Sequence, residues 1–249
     1  MTSTPRARCE FYFDTSSPWT YLAFSRIREI TARTGTELVL KPFLVGGVFN
    51  VNNKALYAAR DKLLTKSTPQ APTPKERWLA KDLIDWADFL GLDIKTMRQR
   101  FNARTKEGRP GHPISSVKML RGAIVAQLLE GDEAMVRFAM HSFSAYWSSL
   151  QDVSDLDVIQ EIWRAAKLTT PWEMFVQKMQ DSNIKDMLRK NTQEVIDRGG
   201  FGSPSIYISR PDGEQGFDAF FTFGNDRMEL VEAKCLQARN KPWRFHSRL

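Results

Sequence analysis

The chain has 249 residues, 42% of them hydrophobic, which is enough to bury a sizeable core in one large domain or in one domain with an insertion. No run approaches the roughly 18 apolar residues of a membrane span, and MTSTPRARCEF has no apolar stretch before a cleavage site, so we expect neither a span nor a signal peptide. Four of the net +7 charges lie in the acid-free stretch LQARNKPWRFHSRL and the rest mixes both signs, which does not favour nucleic-acid binding.

The first 44 residues predict a β-α-β unit. Residues 9–14, CEFYFD, have the aromatic-rich pattern of a buried strand. Pro18 suits a helix start, because its missing N–H would be unpaired there anyway, and Gly35 ends the helical pattern. Residues 38–44 make a second strand, which we expect to be parallel to the first.

The rest of the chain changes from helical to β character. We predict helices at residues 75–90, 115–129, 133–147, 156–166, 171–180 and 182–198. Residues 204–208 and 219–223 then read as an antiparallel hairpin with a long loop, and Asp226 is expected to cap a last helix over 228–236. This order predicts an α/β protein with a thioredoxin-like fold and an all-helical domain inserted after its second strand.

Ser17-Pro18-Trp19-Thr20 occupies the frame in which redox proteins place a C-P-x-C pair. A helix N-terminus stabilises a thiolate through its dipole and free N–H groups. With Ser17 in the first position, the chain has no thiol of its own there, but a hydroxyl can donate a hydrogen bond to a thiolate that a ligand brings. The competing interpretation is that Ser17 only caps the helix. Ser16 is the neighbouring alternative, and Thr20 is expected to be structural.

Three separated motifs carry a resemblance to a known family. They are FYFDTSSPWTYL at residues 11–22, FGSPS at 201–205 and FGNDRMEL at 223–230, and Lys75 begins a K-x6-D-L-x2-W-A pattern between them. In this order, over nearly the whole chain, they resemble the kappa-class glutathione transferases and the related 2-hydroxychromene-2-carboxylate isomerases. Both groups are similar to bacterial thiol oxidoreductases of the DsbA type.

The resemblance implies a division of the chain. Residues 8–66 and 199–238 would form a discontinuous thioredoxin-like domain that binds glutathione. Residues 67–198 would form the helical insertion, and 239–249 a basic tail. Members of the family are usually dimers, so we expect a homodimer.

The resemblance also assigns roles to individual residues. Ser17 would activate the sulfur of glutathione, and a cis-Pro204 would let the backbone of Ser203 pair with the cysteinyl part. An ordinary trans proline is the alternative. Residues expected at the γ-glutamyl end are Asn225, Asp226 and Arg227.

The glycyl end of glutathione would meet residues from elsewhere in the chain. Lys75 would pair with its carboxylate, although a helical lysine is usually solvated surface. Asn53 would hydrogen-bond the peptide, and Asn50 or Asn52 are alternatives in the same loop. The second-substrate pocket would lie beside the helical insertion, with Trp19 and Phe49 near it.

The function that we infer from the sequence is a kappa-type glutathione transferase acting on a small electrophile. The alternatives are a glutathione-dependent cis–trans isomerase and a non-catalytic glutathione-binding module. No metal is expected, because the histidines are far apart and lack metal-ligand spacing; they are His112, His141 and His246.

Two further features bear on redox chemistry and location. The only cysteines, Cys9 and Cys235, lie outside the S-P-W-T frame, which disfavours a redox role and suggests a reducing compartment. The C-terminal tripeptide Ser247-Arg248-Leu249 resembles the S-K-L address of peroxisomal proteins. We expect a peroxisomal protein if the source is eukaryotic and a cytoplasmic one otherwise.

Overall fold

The structure is a computed structural model that describes residues 7–55, 58, 71–106, 108, 114–210 and 220–239. The strands within these residues are β1 (Arg8–Phe13), β2 (Glu37–Pro42), β3 (Ser205–Ser209) and β4 (Phe220–Phe223). The helices are α1 (Pro18–Thr34), α2 (Val45–Asn52), α3 (Pro74–Leu90), α4 (Met97–Lys106), α5 (Val117–Glu130), α6 (Asp132–Trp147), α7 (Leu156–Ala165), α8 (Trp172–Gln180), α9 (Ser182–Asp197) and α10 (Met228–Ala238).

The sheet has the strand order β2-β1-β3-β4. β1 runs parallel to β2 and antiparallel to β3, which pairs antiparallel with β4. The predicted β-α-β unit and hairpin are therefore confirmed. Because side chains alternate along a strand, Phe11 and Phe13 of β1 pack against Phe24 of α1, while Tyr12 packs on the opposite face beside Tyr207.

Two pairs of helices cover the two faces of this sheet. α1 packs against α10 on the side of Phe11 and Phe13. α2 and α9 pack together on the side of Tyr12, where Val48 and Val195 join the same apolar cluster. The predicted thioredoxin-like fold with a helical insertion is thus confirmed.

The insertion shares its core with the sheet domain. Phe143 of α6 stacks on Tyr21 at a ring separation of 5.1 Å and also contacts Phe13 and Phe24. The indole N–H of Trp147 donates to the carbonyl of Thr15 over 2.9 Å. The end of α6 is thereby held against the loop that precedes α1. α9 contacts both the sheet and α5, so its contacts do not assign it to one domain. The predicted end of the helical insertion at residue 198 therefore stays a prediction.

The residues predicted to begin and end α1 do so, whereas the residue predicted to cap the last helix does not. Pro18 is the first residue of α1, and Gly35 ends α1 in the left-handed conformation at φ 63°. Asp226, however, does not cap the last helix. A 3-10 turn, Asn225–Arg227, precedes α10 and places Arg227 at its N-cap position, without a side-chain hydrogen bond. The extra turn moves Asp226 inside the helical segment, so that prediction was wrong.

The two cysteines meet between β1 and α10. Both are buried free thiols, and a hydrogen bond with Cys235, together with burial, raises the pKa of the Cys9 thiol. Cys9 lies near the start of β1 and Cys235 in α10, whereas Ser17 lies between the end of β1 and the start of α1. None of the helices among the described residues is long and apolar enough to cross a membrane. Residues 240–249, including the C-terminal tripeptide, lie outside the described part of the chain.

Candidate active site

Ser17 stands immediately before α1 and makes two hydrogen bonds through its hydroxyl. The oxygen accepts the N–H of Thr20 at 3.2 Å, which is the capping interaction expected at a helix start. The O–H donates to the carbonyl of Ser203 at 3.0 Å. The side chain is half-buried. Ser17 is therefore a capping residue, and the same hydroxyl also faces the loop before β3, so capping and a role towards a ligand are compatible.

The Ser203–Pro204 bond is cis, which resolves the alternative left open by the sequence. Ser203 is buried, and its hydroxyl accepts the backbone N–H of Asp14 at 2.9 Å. The same hydroxyl lies 2.8 Å from that of Thr20. Thr20 is thus structural, as expected: it anchors the side chain of Ser203 against α1.

Asp14 lies at the junction of these segments and was given no role in the sequence analysis. Its carboxylate is fully buried and accepts the backbone N–H groups of Ser16 at 2.8 Å and Val45 at 3.0 Å. Burial raises the pKa of Asp14, although hydrogen bonds from Ser16, Val45 and Ser116 oppose the shift. The only sequence signal was its position at the end of β1, inside the first motif.

The turn after β4 contains the residues predicted for the γ-glutamyl end. Phe223 pairs with Ser205 across β4 and β3, so this turn lies beside the Ser203–Pro204 bond. Asn225 is 1% exposed, and within the described part of the chain neither its amide nitrogen nor its amide oxygen has a hydrogen-bond partner. An unpaired buried amide is uncommon and calls for an explanation.

Asp226 and Arg227 are exposed beside this amide. Their side chains are 62% and 58% exposed, and the Oδ2 of Asp226 lies 3.5 Å from the Nε of Arg227. They form a loose surface pair, which leaves both charges accessible to a ligand.

The asparagines at the end of α2 contact the loop before Pro204. Asn53 donates from its Nδ2 to the carbonyl of Phe201 at 3.4 Å. Asn52 donates to the carbonyls of Ile196 and Gly200 at 3.0 and 2.8 Å, and so holds the end of α9. Asn50 is exposed on α2. Of the three candidates, Asn52 is engaged in structural bonds, and Asn53 lies beside the site.

Three other predicted residues are not part of this hydrogen-bonded group. Lys75 is exposed in the first turn of α3, and among the described residues no hydrogen bond of the Ser17 cluster reaches it. Trp19 is half-buried against the main core, and Phe49 is buried in the cluster around Tyr12. Their proposed contacts with substrate stay predictions.

The sheet order, the cis-proline facing a helix start and the helical insertion define a thioredoxin-fold protein with a serine in the position of a reactive thiol. A family model described as a DSBA-like thioredoxin domain matches residues 8–235. The chain belongs to this family.

Known proteins give the finer relationship. The chain is 28% identical over 226 residues to "Glutathione s-transferase kappa 2" of Caenorhabditis elegans, covering 89% of this chain and 88% of the relative. The predicted resemblance to the kappa class is confirmed, and the enzyme names of the relatives support the prediction of an enzyme.

Solved structures confirm the fold. A 2-hydroxychromene-2-carboxylate isomerase superposes with a TM-score of 0.61 at 18% identity, covering 94% of this chain and 98% of the other. The cytosolic disulfide reductase DsbM of Pseudomonas aeruginosa, in a structure with GSH, superposes with a TM-score of 0.59 at 12% identity. That likeness covers 94% of this chain and 98% of that one.

Proposed function

We propose that the protein is a glutathione transferase of the kappa type, in which Ser17 stabilises the thiolate of bound glutathione. The observation that carries the proposal is the hydrogen bond from the Ser17 hydroxyl to the carbonyl of Ser203 at 3.0 Å, at the start of α1. The hydroxyl and the backbone beside the cis-proline are therefore within reach of one ligand. The names of the relatives supply the ligand, glutathione.

Binding of glutathione would change the hydrogen-bond partners of the Ser203 carbonyl and the Ser17 hydroxyl. The cysteinyl N–H of glutathione takes the place of the Ser17 hydroxyl on the Ser203 carbonyl, in the manner of an added strand. The O–H of Ser17 then turns to the sulfur, while its oxygen keeps the N–H of Thr20, which lies at 3.2 Å. Ser17 thus donates to a new acceptor and still caps α1.

The magnitude of this hydrogen bond is sufficient for activation. A hydrogen bond to a charged acceptor contributes about 1.5–3 kcal/mol. At ~1.36 kcal/mol per unit, that lowers the thiol pKa by about one to two units, which makes much of the thiol nucleophilic at neutral pH. The thiolate attacks an electrophilic carbon, and the electron pair of the broken bond leaves with the leaving group.

The ends of glutathione would be held by the neighbouring turns. The buried amide of Asn225 supplies a donor and an acceptor that no described residue uses, which suits the α-carboxylate and α-amine of the γ-glutamyl end. Asp226 adds a carboxylate for the amine, and Arg227 a cation. Lys75 would pair with the glycyl carboxylate, and Asn53 would hydrogen-bond the peptide. Trp19 and Phe49 remain the proposed residues of the pocket for the electrophile.

The test compares the native chain with Ser17→Ala by glutathione calorimetry, an ultraviolet pH titration of the bound thiolate and turnover with a generic aryl halide. We expect saturable binding to both proteins, a thiol pKa higher by one to two units in the variant, and slower conjugation. If the variant has the native thiol pKa and turnover, Ser17 does not activate the thiol. Binding without conjugation by the native chain would leave the isomerase or the binding module as the function.

The proposal includes a homodimer and no nucleic-acid partner. Sedimentation equilibrium at micromolar concentration tests the assembly, and a mass equal to one chain would reject the dimer. The C-terminal tripeptide and the compartment it implies stay predictions, to be checked by imaging the chain with and without residues 247–249 in a eukaryotic cell.

A further inference from the structure

The backbone N–H, the backbone carbonyl and both carboxylate oxygens of Asp14 make hydrogen bonds in or beside the active site. Its backbone N–H donates to the Ser203 hydroxyl at 2.9 Å, and its backbone carbonyl accepts the N–H of Ser17 at 3.2 Å. One carboxylate oxygen accepts the N–H of Ser16, and the other accepts that of Val45, at the start of α2. The residue therefore joins the segments that carry Ser17 and Ser203 to α2.

The start of the helical insertion also influences this carboxylate. Ser116, which stands just before α5 and is 3% exposed, lowers the pKa of the Asp14 carboxyl. The hydrogen bonds of Asp14 join three chain segments: the starts of α1 and α2 through the carboxylate, and the loop before Pro204 through the backbone N–H. A local turn explains only the bond to Ser16; the bond to Val45 joins residues 31 positions apart.

The carboxylate is held without a cation. It is 0% exposed, and within the described ranges no ion pair involves it; its hydrogen-bond partners are the backbone N–H groups of Ser16 and Val45. Burying an ionisable group without a countercharge is unfavourable, and such groups concentrate at functional sites.

We propose that Asp14 is a positioning residue of the thiol site: its carboxylate holds the starts of α1 and α2 so that Ser17 faces the Ser203 carbonyl. The inference rests on the proposed function for its role in glutathione chemistry, whereas the alignment of Ser17 is a property of the chain itself. Asp14 touches neither the sulfur nor the electrophile and acts through Ser17 and Ser203.

The first variant is Asp14→Asn. An asparagine of the same size offers one acceptor oxygen, so its NH2 group must face one of the two backbone N–H groups that the carboxylate accepts. The second variant, Val45→Pro, removes the N–H on the other side of the contact. Val45 is the first residue of α2, where proline is tolerated, and Leu44 before it is extended at φ −94°, ψ 102°, as a residue before proline requires.

The matched control is Asp152→Asn in the helical insertion. Asp152 also accepts a backbone N–H, that of Ser154 at 3.1 Å, and it pairs with Arg104 at 3.0 Å. Its loss is expected to lower stability without reaching α1. Stability is followed by urea unfolding in all three variants, so that a loss of folded protein is distinguished from a misaligned site.

The measurement is made in two ways, one of which needs no glutathione. In the first, the thiol pKa of bound glutathione is titrated by ultraviolet absorbance. In the second, each change is combined with Ser17→Cys, and the pKa of the introduced thiol is taken from the pH dependence of its alkylation. We expect Asp14→Asn to raise both pKa values by about one unit, Val45→Pro to raise them less, and Asp152→Asn to leave them unchanged.

Unchanged pKa values in Asp14→Asn, with a stability loss like that of Asp152→Asn, would make Asp14 purely structural and overturn the proposal. A fall in either pKa would show that the charge of Asp14 acts against the thiolate, which overturns it equally. If the native chain binds no glutathione while Asp14→Asn still raises the pKa of the introduced thiol, the proposed function fails and the positioning role of Asp14 stands. If Asp14→Asn does not fold, the result of Val45→Pro decides.

Discussion

At the scale of single residues, the polar side chains of the site differ in whether they have hydrogen-bond partners. The hydroxyls of Ser17, Thr20 and Ser203 are connected to one another or to the backbone over 2.8–3.2 Å. Asn225 is the contrast, because its buried amide has no partner among the described residues. Polar groups that hydrogen-bond one another fix the geometry of the site. A buried polar group with no protein partner is suited to bind a ligand.

Asn225→Leu is expected to separate folding from binding. Leucine is similar in size and removes an unpaired buried amide, so the midpoint of thermal unfolding should stay the same or rise. Glutathione affinity should fall at least about tenfold, because hydrogen bonds to a charged ligand are lost. Calorimetry and thermal unfolding measure the two effects.

The control is Asn191→Leu. Asn191 donates from its Nδ2 to the carbonyl of Pro42 at 2.9 Å, so this change should lower stability and leave glutathione binding unchanged. If Asn225→Leu behaves like this control, the amide of Asn225 is structural and not part of the ligand site.

At the scale of elements, a charged network attaches α9 to the sheet. Lys41 of β2 donates to Glu10 at 2.7 Å and to Glu194 of α9 at 2.9 Å. Arg198, directly after α9, donates to the other oxygen of Glu10 at 2.7 Å. Since the loop to Ser203 begins at residue 199, this network sets where the loop leaves the helix.

The pKa of Glu10 predicts how this attachment depends on pH. Burial raises it, but hydrogen bonds from Lys41 and Arg198 lower it further, so the pKa lies below its ordinary value. A lowered carboxyl pKa adds stability that is present above the unfolded-state pKa of about 4.3 and is lost as pH falls through the folded-state value. Glu10 therefore stabilises the fold at neutral pH and not in strong acid.

Glu10→Gln is expected to lower the free energy of unfolding by about 1.5–3 kcal/mol at pH 7, the range for hydrogen bonds to a charged group. The difference from the native chain should shrink as pH falls below the unfolded-state pKa of about 4.3, because the unfolded chain then binds a proton that the folded carboxylate takes up only at lower pH. Urea unfolding at pH 7, 5 and 3.5 measures it. A difference that stays constant over this range would show that packing, and not charge, is lost.

Among the elements, α2 shows tertiary contacts overriding local preference. Its sequence, VGGVFNVN, combines two glycines with β-branched residues, all poor helix formers, and it was not predicted as a helix. It forms because Val45, Val48 and Phe49 bury against the sheet and because Asp14 accepts the N–H of Val45. α4 was missed as well, since MRQRFNARTK has little apolar periodicity.

At the scale of the whole molecule, one apolar core runs from β1 through α1 into the insertion. The start of α1 is therefore fixed from both sides, by the loop before Pro204 and by Trp147 of the insertion. A site that is rigidly placed at a helix N-terminus keeps its electrostatic character whichever side chain occupies position 17.

Ser17→Cys tests this character directly. We expect an introduced thiol with a pKa at least about one unit below the free value of ~8.5, since the dipole and N–H groups of α1 favour the thiolate. Iodoacetamide alkylation as a function of pH measures it, and the native chain is the control because Cys9 and Cys235 are buried. An ordinary pKa would mean that the helix start provides no stabilisation for the proposed glutathione thiolate.

The sequence by itself determined the order and type of most elements and the family. Periodicity placed the strands and eight of the ten described helices, and Pro18 and Gly35 begin and end α1 as predicted. These signals are local, because they depend on residues a few positions apart. The three motifs preserved their order and so indicated Ser17 and Asn225 as well.

Only the tertiary structure decided how those residues meet. The cis bond before Pro204, the contact of Ser17 with Ser203 across 186 positions and the three segments joined at Asp14 are long-range facts with no local pattern. That no described residue pairs with the buried amide of Asn225 is also invisible in sequence, since it depends on which neighbours come within reach of the amide. Propensity acts over one helical turn, whereas the site is made by chain segments that packing brings together.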